Sequence, residues 1–233
     1  MQPEIKKLSR EIENISHSSF TKAKLILQQA HESSKFLLTA FDRARKRRGG
    51  KRGGTTDEEQ DILRSMLVLA SAGFDSMTKQ VIRDCITALA EKDEKVRQGM
   101  ETFVVRRIKS TEDEGLSTQS VKFIAGVLAC ESPRKRILEE YINSLVGGSL
   151  QSPEELYRAV YALGLEPNSC DIKQDICKNI FDIRNKIIHE LDINFAAKRR
   201  RRHVRRRKDM IDNTNRMLTI AENILLQTWN RLK

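Results

Sequence analysis

The sequence predicts an all-α fold, and three observations carry that reading. Apolar residues recur at helical spacing along most of the 233 residues. Only four prolines are present (Pro3, Pro133, Pro153 and Pro167), which leaves long stretches uninterrupted. No segment alternates with period two between hairpin dipeptides, as a half-buried strand would. A chain of this length buries one good core, or one core with a long helical extension.

Taken in order, Ile5, Leu8, Ile12 and Ile15 open the helical pattern. Phe20, Ala23, Ile26, Leu27, Ala30, Leu37, Leu38 and Phe41 carry it into a first basic run. GGKRGGTT then breaks the chain, because paired glycines are poor helix formers. Thr55 and Thr56 each stand three residues before a glutamate, Glu58 and Glu59, a capping-box signature that starts a helix running to about Lys92. Its middle, MLVLASAGF, is apolar nearly all round, which places it at the centre of the core. EKVRQGMETFVVRRIK and STQSVKFIAGVLAC predict two shorter helices, although Val104 and Val105 would also suit a strand.

Ser132-Pro133 and Ser152-Pro153 read as N-caps followed by proline at the first helical position, the second with Glu155 to complete a box. Gly147-Gly148 and Gly164 are natural stops. A helix from about Asp171 to Leu191 follows, then a second basic run, then a last helix from about Lys208. Met217, Leu218, Ile220, Ile224, Leu225 and Trp229 form the apolar side of that last helix. The expected division is an N-terminal helical segment over residues 1–54, ending in the basic glycine-rich loop, and a helical domain over 55–233.

The net charge of +11 is concentrated in two places. RARKRRGGKR (43–52) carries seven basic residues and KRRRRHVRRRK (198–208) carries nine, with no acidic residue in either. Without those sixteen, 27 basic residues face 32 acidic ones, so the rest of the chain is −5. Such runs repel themselves, resist packing and commonly bind polyanions, which points to nucleic acid. Arg45, Lys46, Arg47 and Arg48, with Arg199, Arg200, Arg201, Arg202, Arg205, Arg206 and Arg207, are the candidate RNA-binding residues. A solvated loop is the plain alternative, and nuclear import or an anionic membrane surface are others. Aromatic residues are only 5% of the chain, so backbone-driven binding is expected ahead of base-specific reading.

Several other classes find little support. No apolar run approaches the about 18–20 residues of a membrane span. The start, MQPEIKKLSREIEN, is acidic in part and has no apolar h-region, so no export signal and a cytoplasmic location are expected. Cys85, Cys130, Cys170 and Cys177 lack metal spacing, and reduced core thiols are the expectation; no metal or other cofactor is expected. No GxSxG or catalytic cysteine signature is present. GGKRGGTT lacks the order of a phosphate-binding P-loop and follows no strand. His17, His31 and His203 read as exposed helix or loop residues.

IRNKIIHELD (183–192) carries the main chemical signal. Ile172, Ile176, Ile180, Ile183, Ile187 and Leu191 form one apolar stripe on a helix. Asp171, Lys178, Asp182, Asn185 and His189 fall near the opposite side. Arg184 lies about 60° from Ile187, at the edge of the stripe, from which its long stem can reach the same cleft. Asn185 is one turn before His189 and can orient its ring. A dipole-complementing helix end, with Asp182 or Glu190 as ion-pair partners, explains the same residues more plainly.

RNKIIHELD resembles the signature of the HEPN domain superfamily, an arginine and a histidine a few residues apart with a polar residue, often asparagine, just after the arginine. Arg184, Asn185 and His189 match those three positions. The context is also similar: a multi-helix bundle, the motif near the end of the penultimate long helix and an amphipathic final helix behind it. LRSMLVLASAGFDSMTKQVIRD resembles an early core helix of HEPN domains in toxin and phage-defence ribonucleases. The likeness covers residues 55–233. The loop KRRRRHVRRRK is more basic than the family pattern demands, and residues 1–50 have no counterpart.

The resemblance implies metal-independent cleavage of RNA, of the tRNA or mRNA kind, by 2′-hydroxyl attack on the adjacent phosphate. The products are a 2′,3′-cyclic phosphate and a 5′-hydroxyl end. Arg184, Asn185 and His189 would be the catalytic set, in a homodimer built through the Asp171–Leu191 helix. A toxin or antiphage effector checked by a regulatory or antitoxin protein is the implied setting. The alternative is a non-catalytic nucleic-acid- or partner-binding module.

Overall fold

The computed structural model describes residues 3–49, 54–109, 116–150, 152–198 and 201–233. Among these the chain is helical throughout: α1 (Arg10–Glu13), α2 (Thr21–Arg47), α3 (Asp57–Lys92), α4 (Glu94–Ile108), α5 (Thr118–Leu128), α6 (Pro133–Val146), α7 (Pro153–Ala162), α8 (Gln174–Glu190) and α9 (Arg207–Leu232). Short 3-10 turns occupy Ser18–Phe20 and Pro167–Cys170. The one extended pairing among the described residues is an isolated antiparallel bridge between Ile193 and Arg202.

The centre of the bundle is α3, which packs against both α2 and α9. It starts at the expected box: Thr56 Oγ1 accepts from the Glu59 N–H at 3.3 Å, and Glu59 accepts from the Thr56 N–H at 3.0 Å. Leu63, Leu67, Phe74, Ile82 and Leu89 are then buried along its length. Each such side chain stabilises the fold by about 1.5–3 kcal/mol. At Gly73 a Cβ would stand 2.2 Å from the Ala30 Cβ, so α2 and α3 come together where neither has bulk to keep them apart. Ser152 caps α7 with the second expected box, whereas Ser132 makes no side-chain cap and α6 starts on Pro133 alone.

The pattern at the N-terminus produces a different structure from the one its spacing predicts. Ile5, Ile12 and Ile15 are buried, but only Arg10–Glu13 is helical. Residues 3–9 form an irregular strap whose backbone is satisfied by side chains of the bundle. The Asn215 amide accepts from the Lys6 N–H at 2.9 Å and donates to the Glu4 carbonyl at 2.9 Å. Glu222 accepts from the Ser9 N–H at 2.6 Å. His31 Nε2 lies 2.7 Å from the Lys6 carbonyl, so this histidine is buried beneath the strap and not exposed as its sequence context suggests. Pairing of the Lys6 and Ser9 N–H groups and the Glu4 and Lys6 carbonyls with side chains competes with the helical hydrogen bonds those groups would otherwise make.

Residues on both sides of the 54/55 boundary share one apolar core, with Leu27 and Phe41 in the same cluster as Leu63, Phe74 and Ile224. The start of the motif helix also differs from expectation. Asp171 takes a left-handed conformation (φ 56) after the 3-10 turn and pairs with Arg216, so α8 begins at Gln174.

Candidate active site

Along α8, Ile172 before it and Ile180 and Ile187 within it are buried, while Ile176 and Ile183 pack at the margin of the core. Phe181 meets Phe74 of α3 with ring centroids 6.5 Å apart, which holds the helix against the bundle. The opposite face exposes Lys178, Asp182 and His189. Leu191, expected in the stripe, is 63% exposed because the helix has already ended there.

That ending is sharply defined. Leu191 and Asp192 both adopt left-handed backbone (φ 50 and 62), and the Asp192 N–H returns to the Lys186 carbonyl at 2.9 Å. Two consecutive non-glycine residues in this region cost about 1–3 kcal/mol each and persist only where surrounding contacts enforce them. Here the enforcing contacts are ionic. Asp192 is fully buried (0% exposed), Arg64 of α3 is 2% exposed, and Arg64 Nε donates to Asp192 Oδ2 at 2.9 Å. Arg205 Nε donates to the same oxygen at 2.9 Å and its Nη2 bonds the other. Arg64 also donates to the His203 carbonyl at 2.8 Å and to Asp61 at 3.0 Å. Burial pushes the Asp192 carboxyl up, but the hydrogen bonds from Arg205 and Arg64 outweigh it and hold the group below its ordinary value.

This cluster anchors the base of the second basic run. The His203 N–H donates to the Asp192 carbonyl and the Asn194 N–H to the Arg201 carbonyl, both at 2.8 Å. Arg202 donates to the Leu191 carbonyl at 2.9 Å and pairs with Asp61 at 2.6 Å. Gln60 exchanges two hydrogen bonds with the Arg205 backbone, at 2.7 and 2.9 Å. Arg207 pairs with Asp42 at 2.7 Å and donates to the Pro3 carbonyl at 2.8 Å. In the first run Arg45 and Arg48 both reach the buried Glu59, at 3.3 and 3.1 Å. The sequence offers these as one set of RNA-binding candidates, yet the structure divides them. Arg45, Arg48, Arg202, Arg205 and Arg207 are committed to carboxylates of the chain itself, while Lys46, Arg47, Arg201 and Arg206 are exposed and form no ion pair among the described residues. Arg199 and Arg200 lie outside the described residues.

Against this background the motif residues stand apart. Arg184 is half-buried, and its Nη1 donates to Asn185 Oδ1 at 2.9 Å. Burial lowers its pKa, and the charge of Asp75 acts in the other direction without forming an ion pair. A guanidinium stays charged through such a shift. Asn185 lies one turn before His189 on α8, and the His189 ring is exposed and makes no hydrogen bond among the described residues. Asp182 and Glu190 form no ion pair with either residue, so the dipole-and-salt-bridge explanation of the motif lacks its bridges.

Asp192 and Arg64 are the site residues that sequence reasoning missed. The available signal was an arginine, Arg64, two residues before an apolar run, in a helix otherwise read as core. Among the described residues no group of three or more His, Cys, Asp or Glu could hold a metal ion. Burial pushes the thiol of Cys85 up to about 12 and that of Cys170 to about 11, which keeps both protonated and unreactive. No described helix is long and apolar enough to cross a membrane. Compared with known proteins, the chain matches no family model, no curated protein and no solved structure.

Proposed function

We propose that the chain is a HEPN-type, metal-independent endoribonuclease whose reacting groups are Arg184, Asn185 and His189, with the cyclic-phosphate chemistry that family likeness implies. The observation that carries the proposal is the contrast at Arg184: a half-buried guanidinium hydrogen-bonded to a neutral amide, with an exposed imidazole five residues on along the same helix. A cation in that position has donors to give to a phosphate.

The substrate supplies the nucleophile. A 2′-oxygen forms a bond to phosphorus as its proton passes to an imidazole, and the P–O5′ bond breaks as the departing oxygen takes a proton. His189 serves one of these transfers, and the guanidinium of Arg184 offsets charge building on the non-bridging oxygens. A homodimer through α8 would supply the second histidine from the other copy. A regulatory or antitoxin protein would restrain such an activity in the cell. Lys46, Arg47, Arg201 and Arg206 would meet the RNA backbone, while the arginines bound to Glu59, Asp61, Asp192 and Asp42 build the platform.

The test is to incubate RNA with purified protein and EDTA and analyse the ends. Cyclic-phosphate ends are expected with wild type and not with His189→Ala. Equal cleavage by both proteins, or none by either, would reject the proposal. Sedimentation at micromolar concentration tests the dimer, and a fully active strict monomer would count against it. The exposed, unpaired cations favour one second reading, a non-catalytic nucleic-acid-binding module, in which His189→Ala changes nothing and neutralising those cations removes binding.

A further inference from the structure

A second concave site lies between α4, α6 and α7, remote in sequence from the motif and built by none of its residues. Its volume is about 740 Å³, within the roughly 300–1,000 Å³ usual for small-molecule sites. Aromatic rings are scarce in this chain, yet four of them line this cleft. Phe103 and Tyr141 pack with centroids 5.4 Å apart, and Tyr157 stacks on Tyr161 at 6.2 Å with their planes 24° apart. Tyr161 leaves 54% of itself open to solvent.

Cations stand beside those rings. Arg106, Arg107 and Arg158 line the cleft against one carboxylate, Glu154. Arg158 is tied to the Ser144 carbonyl, and Arg107 sits over the Phe103 ring at 5.5 Å and pairs with Glu140 at 3.9 Å. Arg106 is exposed and has no ion pair among the described residues. Tyr141 also lines the cleft, and its hydroxyl, which solvent can reach, has no hydrogen-bond partner among the described residues. At Gly99, which also lines the cleft, a Cβ would lie 3.0 Å from that hydroxyl, so a side chain there would crowd it.

We propose that this cleft binds a purine nucleoside monophosphate or a close relative: a flat ring system that stacks on the exposed tyrosine, an anionic group met by Arg106, and a polar atom met by the Tyr141 hydroxyl. Aromatic faces alone would suit many apolar molecules. Arg106, which has no ion-pair partner among the described residues, selects an anion, and the Tyr141 hydroxyl offers a polar contact to a ligand seated in the cleft.

Isothermal titration of the full chain with 5′-AMP, and separately with adenosine and with inorganic phosphate, tests this. Saturable binding of 5′-AMP below about 1 mM is expected, with adenosine at least about tenfold weaker and phosphate alone silent. Arg106→Gln, a surface change that leaves the core intact, should weaken 5′-AMP by about tenfold. Tyr141→Phe keeps the ring and should weaken it by about two- to tenfold. Arg184→Ala should leave the affinity within about twofold, since the α8 strip is a different site. No saturation by 1 mM, equal binding of adenosine, or wild-type affinity in both cleft variants would overturn the proposal, as would binding lost in Arg184→Ala alone. None of these outcomes depends on whether RNA is cleaved.

Discussion

Arg64 and Arg184 are both drawn out of solvent by neighbouring helices, yet their guanidiniums meet different company. Arg64 is matched on every side, by Asp192, Asp61 and the His203 carbonyl. Arg184 meets the side-chain oxygen of Asn185 and no carboxylate within ion-pair distance. The first arrangement consumes its charge in holding the chain in place. The second leaves charge for something that arrives from outside. In a chain with 43 lysines and arginines, charge density alone does not separate the two, but the partners do.

The sharpest way to break this contrast is at Asp192. Asp192→Ala leaves the buried Arg64 with only the exposed Asp61 as counter-ion and strips Arg205 of its partner, and unfolding in urea should show a loss of about 3–5 kcal/mol. Arg184→Ala inverts the pattern: transition-state stabilisation should fall by about 2–4 kcal/mol in cleavage assays, with a much smaller change in the urea midpoint. A large stability loss for Arg184→Ala would merge the two arginines into one structural class. Removing the capping side chain by Thr56→Ala should cost about 1 kcal/mol in the same melt, and should loosen Glu59 from Arg45 and Arg48.

Acid tests the matched set as a whole. Glu59, Asp192 and Asp93, which caps α4 and pairs with Arg231 of α9, each have a folded pKa below the ordinary value, despite burial, because hydrogen bonds from arginines, with backbone N–H groups at Glu59 and Asp93, favour the charged form. Their stabilisation is therefore complete above the unfolded values of 4.5 and 3.8 and is lost as pH falls through the lower folded values. Urea midpoints should stay level from pH 7 to about 5 and drop steeply below about 4. The smallest effect is on the exposed cations. Neutralising Arg47 or Arg206 should leave the melt unchanged, yet flatten the salt dependence of single-stranded RNA binding by about 0.7 log units per lost contact. Arg205→Gln should do the reverse, destabilising the fold more than it alters the salt slope.

Helix identity was readable where local signals agreed. The boxes at Thr56 and Ser152 and the isoleucine stripe of α8 all give the expected element, because capping and periodicity are decided within a few residues. The strap at Ile5–Ile15 was not, since its backbone partners, Asn215 and Glu222, lie more than 200 residues away in sequence. The same holds for the basic runs. Nothing local to Arg205 distinguishes it from Arg206, and only the fold brings Asp192 and Gln60 to one of them. The motif residues were visible as a pattern, but the lack of an ion-pair partner for Arg184 among the described residues is a property of three dimensions.

The approach of α2 and α3 at Gly73 and Ala30 bears on how the chain can be divided. Two long rods that touch this closely, with strap and terminal rod wrapped over them, form a single cooperative body whatever happens to the link between them. Polypeptides 1–49 and 54–233, made separately and mixed, should therefore find each other and co-purify as a nicked but intact molecule. Either one alone should be left with an uncovered oily flank and precipitate.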